Sequence, residues 1–337
     1  MSNHFKLALA FVAMLPLAPI TARGERASEN TVEQFLIPEG AIALPDTGGR
    51  IDHMAIDLQR KRLFVAELGN GTLDVVDLIN RKVAHRFAGL KEPQGIVYDP
   101  KSDLIAVACG GDGTLRFFSG QDFAPRGVIA LGADADNARI DPGKGRILVG
   151  YGEGALAIVE PSSLKKLAEI PLSAHPESFQ LSGDHVFINV PDAGEIVLAD
   201  LESAKVLRVF KPTKLSSNFP MILDDSGHPA TVFRAQSKLA LLDGDLETVL
   251  ATAGVCGDAD DLFFDAPRKR FYVSCGAGEV DVVAEGSGSL NLLSRVPTKP
   301  GARTSLFVPE LGRLFVAARV GILGSDASIL VFRTSAD

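Results

Sequence analysis

Apolar residues fall along most of the chain in short runs rich in Val, Ile, Leu and Phe, and Gly, Asp, Asn or Pro bounds nearly every run. No long 3.6-residue period develops, so the pattern predicts strands rather than helices. One segment recurs seven times, at His53–Asp57, Gly95–Asp99, Asn137–Asp141, Ser178–Ser182, Pro220–Asp224, Asp261–Asp265 and Ser305–Pro309. Its spacing, about 42 residues, is that of propeller blades. A turn then leads to a second strand, as in Arg62–Glu67, Arg146–Gly150, Arg270–Ser274 and Arg313–Ala317. A Gly-containing turn and a third strand follow, as in Gly71–Asp77 and Gly278–Val283, and a fourth strand closes the unit, as in Val83–Phe87 and Val206–Phe210. Four antiparallel strands cannot bury both faces alone; stacking such units around an axis buries them against each other. The expected fold is all-β, a seven-bladed β-propeller with four antiparallel strands per blade. The seventh unit starts near Ala302, and its third strand, Ser328–Arg333, leaves no room for a fourth before Asp337. Gly40–Pro45 precedes the first unit and reads as the missing strand, so an N-terminal strand should close the last blade.

The residues ahead of the repeats read differently. Lys6 precedes an apolar run from Leu7 to Ile20, and Thr21–Ala22 offers a small residue for cleavage, the layout of a secretory signal peptide. The run is short and interrupted by Pro16 and Pro19, and no later segment reads as a membrane span. The expected organisation is a signal peptide over residues 1–22, an N-terminal extension over 23–39 and a single propeller over 40–337, exported to the periplasm as a monomer. With 337 residues, 46% of them hydrophobic, the chain can bury a core without metals or disulfides. The net charge of −8 and the absence of a Lys/Arg run argue against general nucleic-acid binding. Of the three cysteines, Cys256 and Cys275 bracket one repeat and are the candidate disulfide; the alternative is three small buried side chains.

The Arg-Leu-Phe-Val-Ala second strands followed by Gly-Thr-Leu-Asp-Val-Val-Asp resemble the YVTN-type, YncE-like propeller repeat of exported bacterial proteins, from about Thr31 onward. Pro93–Val97, His175–Phe179, Asn189–Ala193, Cys256–Leu262 and Pro300–Leu306 look typical of one branch of that family. The resemblance implies a propeller fold and leaves the activity open, because related propellers include DNA-binding proteins, lactonases, an antibiotic lyase and quinoprotein subunits.

Aligning the units on their turn residue places Asp52, Gln94, Asp136, Glu177, Phe219, Asp260 and Thr304 at one equivalent position, just ahead of each innermost strand. His53, Asn137, Asn218, Asp261 and Arg303 adjoin them, and His175 lies close to its own strand. These residues should converge on one mouth of the central channel and bind a ligand there; the competing reading is that they only cap turns. His53, His175 and Asp261 are the candidate catalytic groups, because imidazole and carboxylate together serve as general acid and base. Asp52–His53, His175–Glu177 and Asp260–Asp261 are the sharpest combinations. A divalent cation in the channel is a further reading, although no cofactor motif is evident. Arg303 is the obvious cation, available to neutralise Asp52 or a neighbour. No P-loop, His-Glu-x-x-His or Gly-x-Ser-x-Gly occurs, and the chain has no Trp. The leading expectation is a binding module for a small molecule or periplasmic protein. The alternatives are a lactonase-like hydrolase or lyase, and an accessory subunit of a periplasmic quinoprotein system.

Overall fold

The recurring aspartate that ends the first strand has a local cause. Asp57 accepts the Arg60 N–H, Asp99 those of Lys101 and Ser102, Asp141 those of Gly143 and Lys144, and Asp224 those of Ser226 and His228. Each carboxylate closes the hairpin to the second strand by satisfying turn N–H groups, the usual role of Asp at such positions. The computed structural model describes residues 1, 34–321, 324 and 326–335, so the expected leader lies, apart from Met1, outside the described residues.

Seven four-stranded antiparallel sheets follow one another, six of them in plain sequence order. Blade 1 runs through Met54–Asp57, Arg62–Glu67, Thr72–Asp77 and Lys82–Ala88. The first strands of blades 2 to 6 are Pro93–Asp99, Ala138–Ile140, Phe179–Ser182, Asn218–Leu223 and Ala259–Asp265. Blade 7 combines Ser305–Val308, Arg313–Ala318 and Ser328–Thr334 with an N-terminal strand, Leu36–Ala43, paired from Leu36 opposite Thr334 to Ala43 opposite Ser328. The closure expected from the repeat count is present. The closing strand starts at Leu36, earlier than Gly40, because Phe35 and Leu36 pack into the core between blades 6 and 7 and Glu39 pairs with Arg313 and Arg333. The register shifts between Pro38 and Ala41, where Gly40 takes φ +89°.

The core consists of seven apolar clusters, each spanning one blade-to-blade junction. Second and third strands are buried on both faces, as in Arg62–Glu67 and Thr72–Asp77, and so read as continuous apolar runs. Fourth strands are mostly exposed, as in Lys205–Phe210. The junction of blades 7 and 1 joins Ile42 and Leu44 to Leu63, Val65, Val76, Phe315 and Val331, so both ends of the ring are held by the same packing as its middle. Cys256 and Cys275 form a disulfide inside the core between blades 5 and 6, and Cys109 is free and buried. Among the described residues, no helix is long and apolar enough to cross a membrane.

Candidate functional site

Antiparallel pairing of the first two strands sets the exit of each second strand beside the entry of its first strand. Gly69 N–H donates to the Arg50 carbonyl in blade 1, and Arg234 N–H to the Ser217 carbonyl in blade 5. Entry segments and second-strand exits together form one face of the ring. There a narrow mouth of ≈ 40 Å³ is lined by Asp52, Gln94, Asp136, Glu177, Phe219 and Asp260, six of the seven residues that repeat alignment makes equivalent. Arg50, His53, Asn137 and Asp261 share the wall. His53 and Asp261 also line the channel, a cavity of ≈ 390 Å³ walled by the innermost strands of all seven blades. Mouth and channel meet at these two residues.

Thr304 and Asn218 are drawn into the scaffold instead. Thr304 is 3% exposed and its hydroxyl donates to the Ile51 carbonyl at 3.2 Å, tying blade 7 to blade 1. Asn218 is 1% exposed, and its amide donates to Asn189 Oδ1 and the Glu195 carbonyl. Buried amides and hydroxyls need partners, and both residues find theirs between blades. Gln94 reaches the mouth because position 110 is Gly: a Cβ there would lie 2.2 Å from Gln94 Nε2.

The expected pairings rearrange. His175 pairs with Asp136 (Nε2–Oδ2 3.7 Å) and Asp134 (Nδ1–Oδ2 3.6 Å) rather than Glu177, and its Nδ1 also bonds the Gly152 carbonyl at 2.6 Å. His53 Nε2 lies 3.9 Å from Asp52 Oδ1, beyond a hydrogen bond. Arg303 binds Asp258 at 2.9 Å and Asp260 at 3.0 Å, while Asp52 receives Arg50 at 3.4 Å. Arg303 is also not alone. Arg234 pairs with Asp260 and lies 3.6 Å over the Phe219 ring, and Arg139 lines the channel and donates to Asn137 Oδ1. Arg234 directly follows a second strand that ends at Phe233, so strand pairing, not motif spacing, is the signal that finds it. Arg139 alternates into the channel two residues beyond Asn137, a parity readable from the strand period. Asp260 and Asp261 separate because the strand bulges between Ala259 and Asp261; Asp260 meets the two arginines, and Asp261 Oδ2 accepts the Ser305 N–H at 2.6 Å.

Crowding sets the protonation of the site. Burial, then the Asp136 charge, pushes the Asp52 carboxyl up to about 7 against the pull of Arg50 and Arg303. Burial and Asp136 do the same to Glu177, also to about 7. Burial raises Asp261 as well, opposed by His53, the Ser305 N–H and Arg139. His53 is pushed down by burial and so is held neutral near pH 7. Burial also opposes charge on His175, but the Asp136 carboxylate and the Gly152 carbonyl outweigh it and lift the imidazole to about 9. The mouth thus holds two carboxyls poised near neutrality beside a neutral imidazole and fixed ion pairs. Among the described residues, the one group of three His, Cys, Asp or Glu ligand atoms within 4.8 Å of one another is Cys256, Glu279 and Asp281, away from the mouth, and Cys256 is committed to the disulfide.

No family model and no curated protein matches the sequence. Solved propellers match the structure. The WD40 repeats of RRP9 superpose with a TM-score of 0.78 at 11% identity, over 90% of this chain and 99% of that one. A chain of the mitotic checkpoint complex crystal structure does so with a TM-score of 0.77 at 14% identity, over 98% of this chain and 100% of that one. At such identities the likeness shows the fold alone, a seven-bladed, WD40-like β-propeller.

Proposed function

We propose that this chain is a periplasmic propeller of the YVTN type that works as a binding module, holding a small ligand or a partner's side chain at the mouth built by Asp52, Glu177 and their neighbours. The observation that carries this reading is the convergence of one repeat position from six blades on a single concavity, with carboxyls held near neutrality beside ion-paired arginines. Convergent polar groups of perturbed protonation in a concavity are the physical mark of a binding site. The apolar leader and the Cys256–Cys275 disulfide support export to an oxidising compartment, and the Arg-Leu-Phe-Val-Ala strands support the YVTN assignment. The test is native mass spectrometry of the mature protein taken from its own host. We expect a bound mass in the wild type that is lost in Glu177→Gln/Arg234→Gln. A bare wild-type mass, or a bound mass indifferent to both substitutions, refutes the reading.

A second reading, acid–base hydrolysis, is favoured by one observation: neutral His53 and the near-neutral carboxyl of Asp52 share a wall. It predicts that His53→Ala and Asp261→Asn abolish turnover in folded protein. Turnover that survives both substitutions removes it.

A further inference from the structure

Two opposite charges line the channel, one of them, Asp261, where it meets the mouth, and they do not touch. Arg139 stands on the first strand of blade 3 and Asp261 on that of blade 6, both in the wall of the same ≈ 390 Å³ cavity. Each feels the other's charge, yet among the described residues no carboxylate lies within 4.0 Å of the Arg139 guanidinium. The scaffold holds them apart. Arg139 is turned back onto Asn137 Oδ1 and the Ala138 carbonyl (2.9 Å), and Asp261 is fixed by the Ser305 N–H of the next blade. Beyond them the wall is mainly apolar, with Ile56, Val97, Ile140, Ile222, Phe263 and Leu306 supplied by six different blades, and the Tyr98 and Ser305 hydroxyls that also line it are bonded to Asp103 and Ser274. Gln180, the polar side chain from blade 4, spends its amide on the Met221 carbonyl at 2.8 Å.

We propose that the channel takes a zwitterion with an apolar body, an α-amino acid with a large aliphatic or aromatic side chain. Its carboxylate lies on Arg139, its ammonium on Asp261, and its side chain runs down the channel. A guanidinium and a carboxylate already oriented but unpaired provide charge-assisted hydrogen bonds without first having to break an ion pair of their own. Among the described residues, Arg139 and Asp261 are the Arg, Lys, Asp or Glu side chains that line this cavity, so a third charge finds no opposite charge there and amino acids with ionised side chains should bind more weakly. The volume falls within the range of about 300–1,000 Å³ found for small-ligand sites. This inference rests on the reading of the mouth as a binding site and names what enters it.

Isothermal titration of the mature protein with L-phenylalanine, 3-phenylpropionate and phenethylamine tests the pairing from the ligand's side. L-Phenylalanine should bind saturably, and each analogue, lacking one charge, should bind about 10- to 100-fold more weakly. Arg139→Gln should weaken phenylalanine by a similar factor while leaving phenethylamine unchanged. Equal affinity for the three compounds, or no binding of phenylalanine, overturns the proposal. The ligand series needs no altered protein, so it decides the question even if Arg139→Gln fails to fold. If phenylalanine does not bind while the native bound mass persists and depends on Glu177, only this inference falls; if neither is seen, the mouth is not a binding site.

Discussion

Gly95 brings blade 2 close to the backbone of blade 3 beside the mouth, and replacing it by Ala tests whether that contact registers the site. A Cβ at position 95 would lie 2.3 Å from the Asp136 carbonyl oxygen and 2.7 Å from the Ala138 nitrogen, both backbone atoms of blade 3. Real Cβ atoms essentially never come within 3.0 Å, so the strand must retreat by at least 0.7 Å (3.0 minus 2.3). The moving segment carries Asp136, Asn137 and Arg139, and Asp136 and Gly150 are themselves bonded backbone to backbone. Overpacking of this kind costs about 1–3 kcal/mol. With about 2.1 cal/mol/K of unfolding entropy per residue over a ring of about 300 residues, Tm should fall by about 2–5 °C. Calorimetry at pH 7 reads this directly, with Gly254→Ala as the control. Gly254 has nothing within 4 Å of its would-be Cβ and lacks a left-handed φ, so that change should be neutral or slightly stabilising. If Gly95→Ala melts within about 1 °C of Gly254→Ala, backbone approach does not set the spacing of blades 2 and 3.

Three further outcomes follow from groups around the ring. Replacing Cys256 and Cys275 together by Ser removes a cross-link over 19 residues and should cost about 3 kcal/mol in the chain-entropy account, measured as a lower denaturation midpoint. His175 is lifted to about 9, so its stabilising contribution is complete below its ordinary pKa of 6.5 and is lost as pH rises through 9. Allowing for solvent screening this amounts to about 2 kcal/mol, and His175→Gln should flatten the Tm–pH curve over that window. Glu177 is pushed the other way in its effect: the folded protein keeps a proton up to about 7 that the unfolded chain gives up near 4.5, so stability is lost as pH climbs between them. Glu177→Gln should therefore stabilise the protein at pH 8 by about 1–2 kcal/mol and leave it unchanged at pH 4; an equal gain at both pH values would mean that ionisation of Glu177 is not the cause.

Much of the ring is legible in the chain because each blade repeats the same local demands. A hairpin needs Asp to bind its N–H groups, and a strand covered on both faces needs an unbroken apolar run; both demands leave marks at fixed positions. The N-terminal closing strand was readable for the same reason, since a blade short by one strand has an unburied edge. The same alignment brought six residues to the mouth. It failed for Thr304, and the adjoining Asn218 also left the mouth; both side chains turn to partners on neighbouring blades. It also missed Arg50 and Arg234, which lie outside the recurring segments, and Arg139, which lies inside one but has no charged counterpart in the other six blades.

The sequence by itself determined the strand sequence, the blade number and the way the ring closes, because hydrogen bonding and burial within a blade depend on residues close in the chain. Only the tertiary structure decided which charges meet. His175 is linked to Asp136 and not to Glu177, Arg303 to Asp258 and Asp260 and not to Asp52, and Arg139 and Asp261, from blades 3 and 6, line one cavity without forming an ion pair. Those partnerships depend on distances across the channel of a few ångströms. They are set by how blades stack and where a strand bulges, and Coulomb interactions at that range change steeply with position.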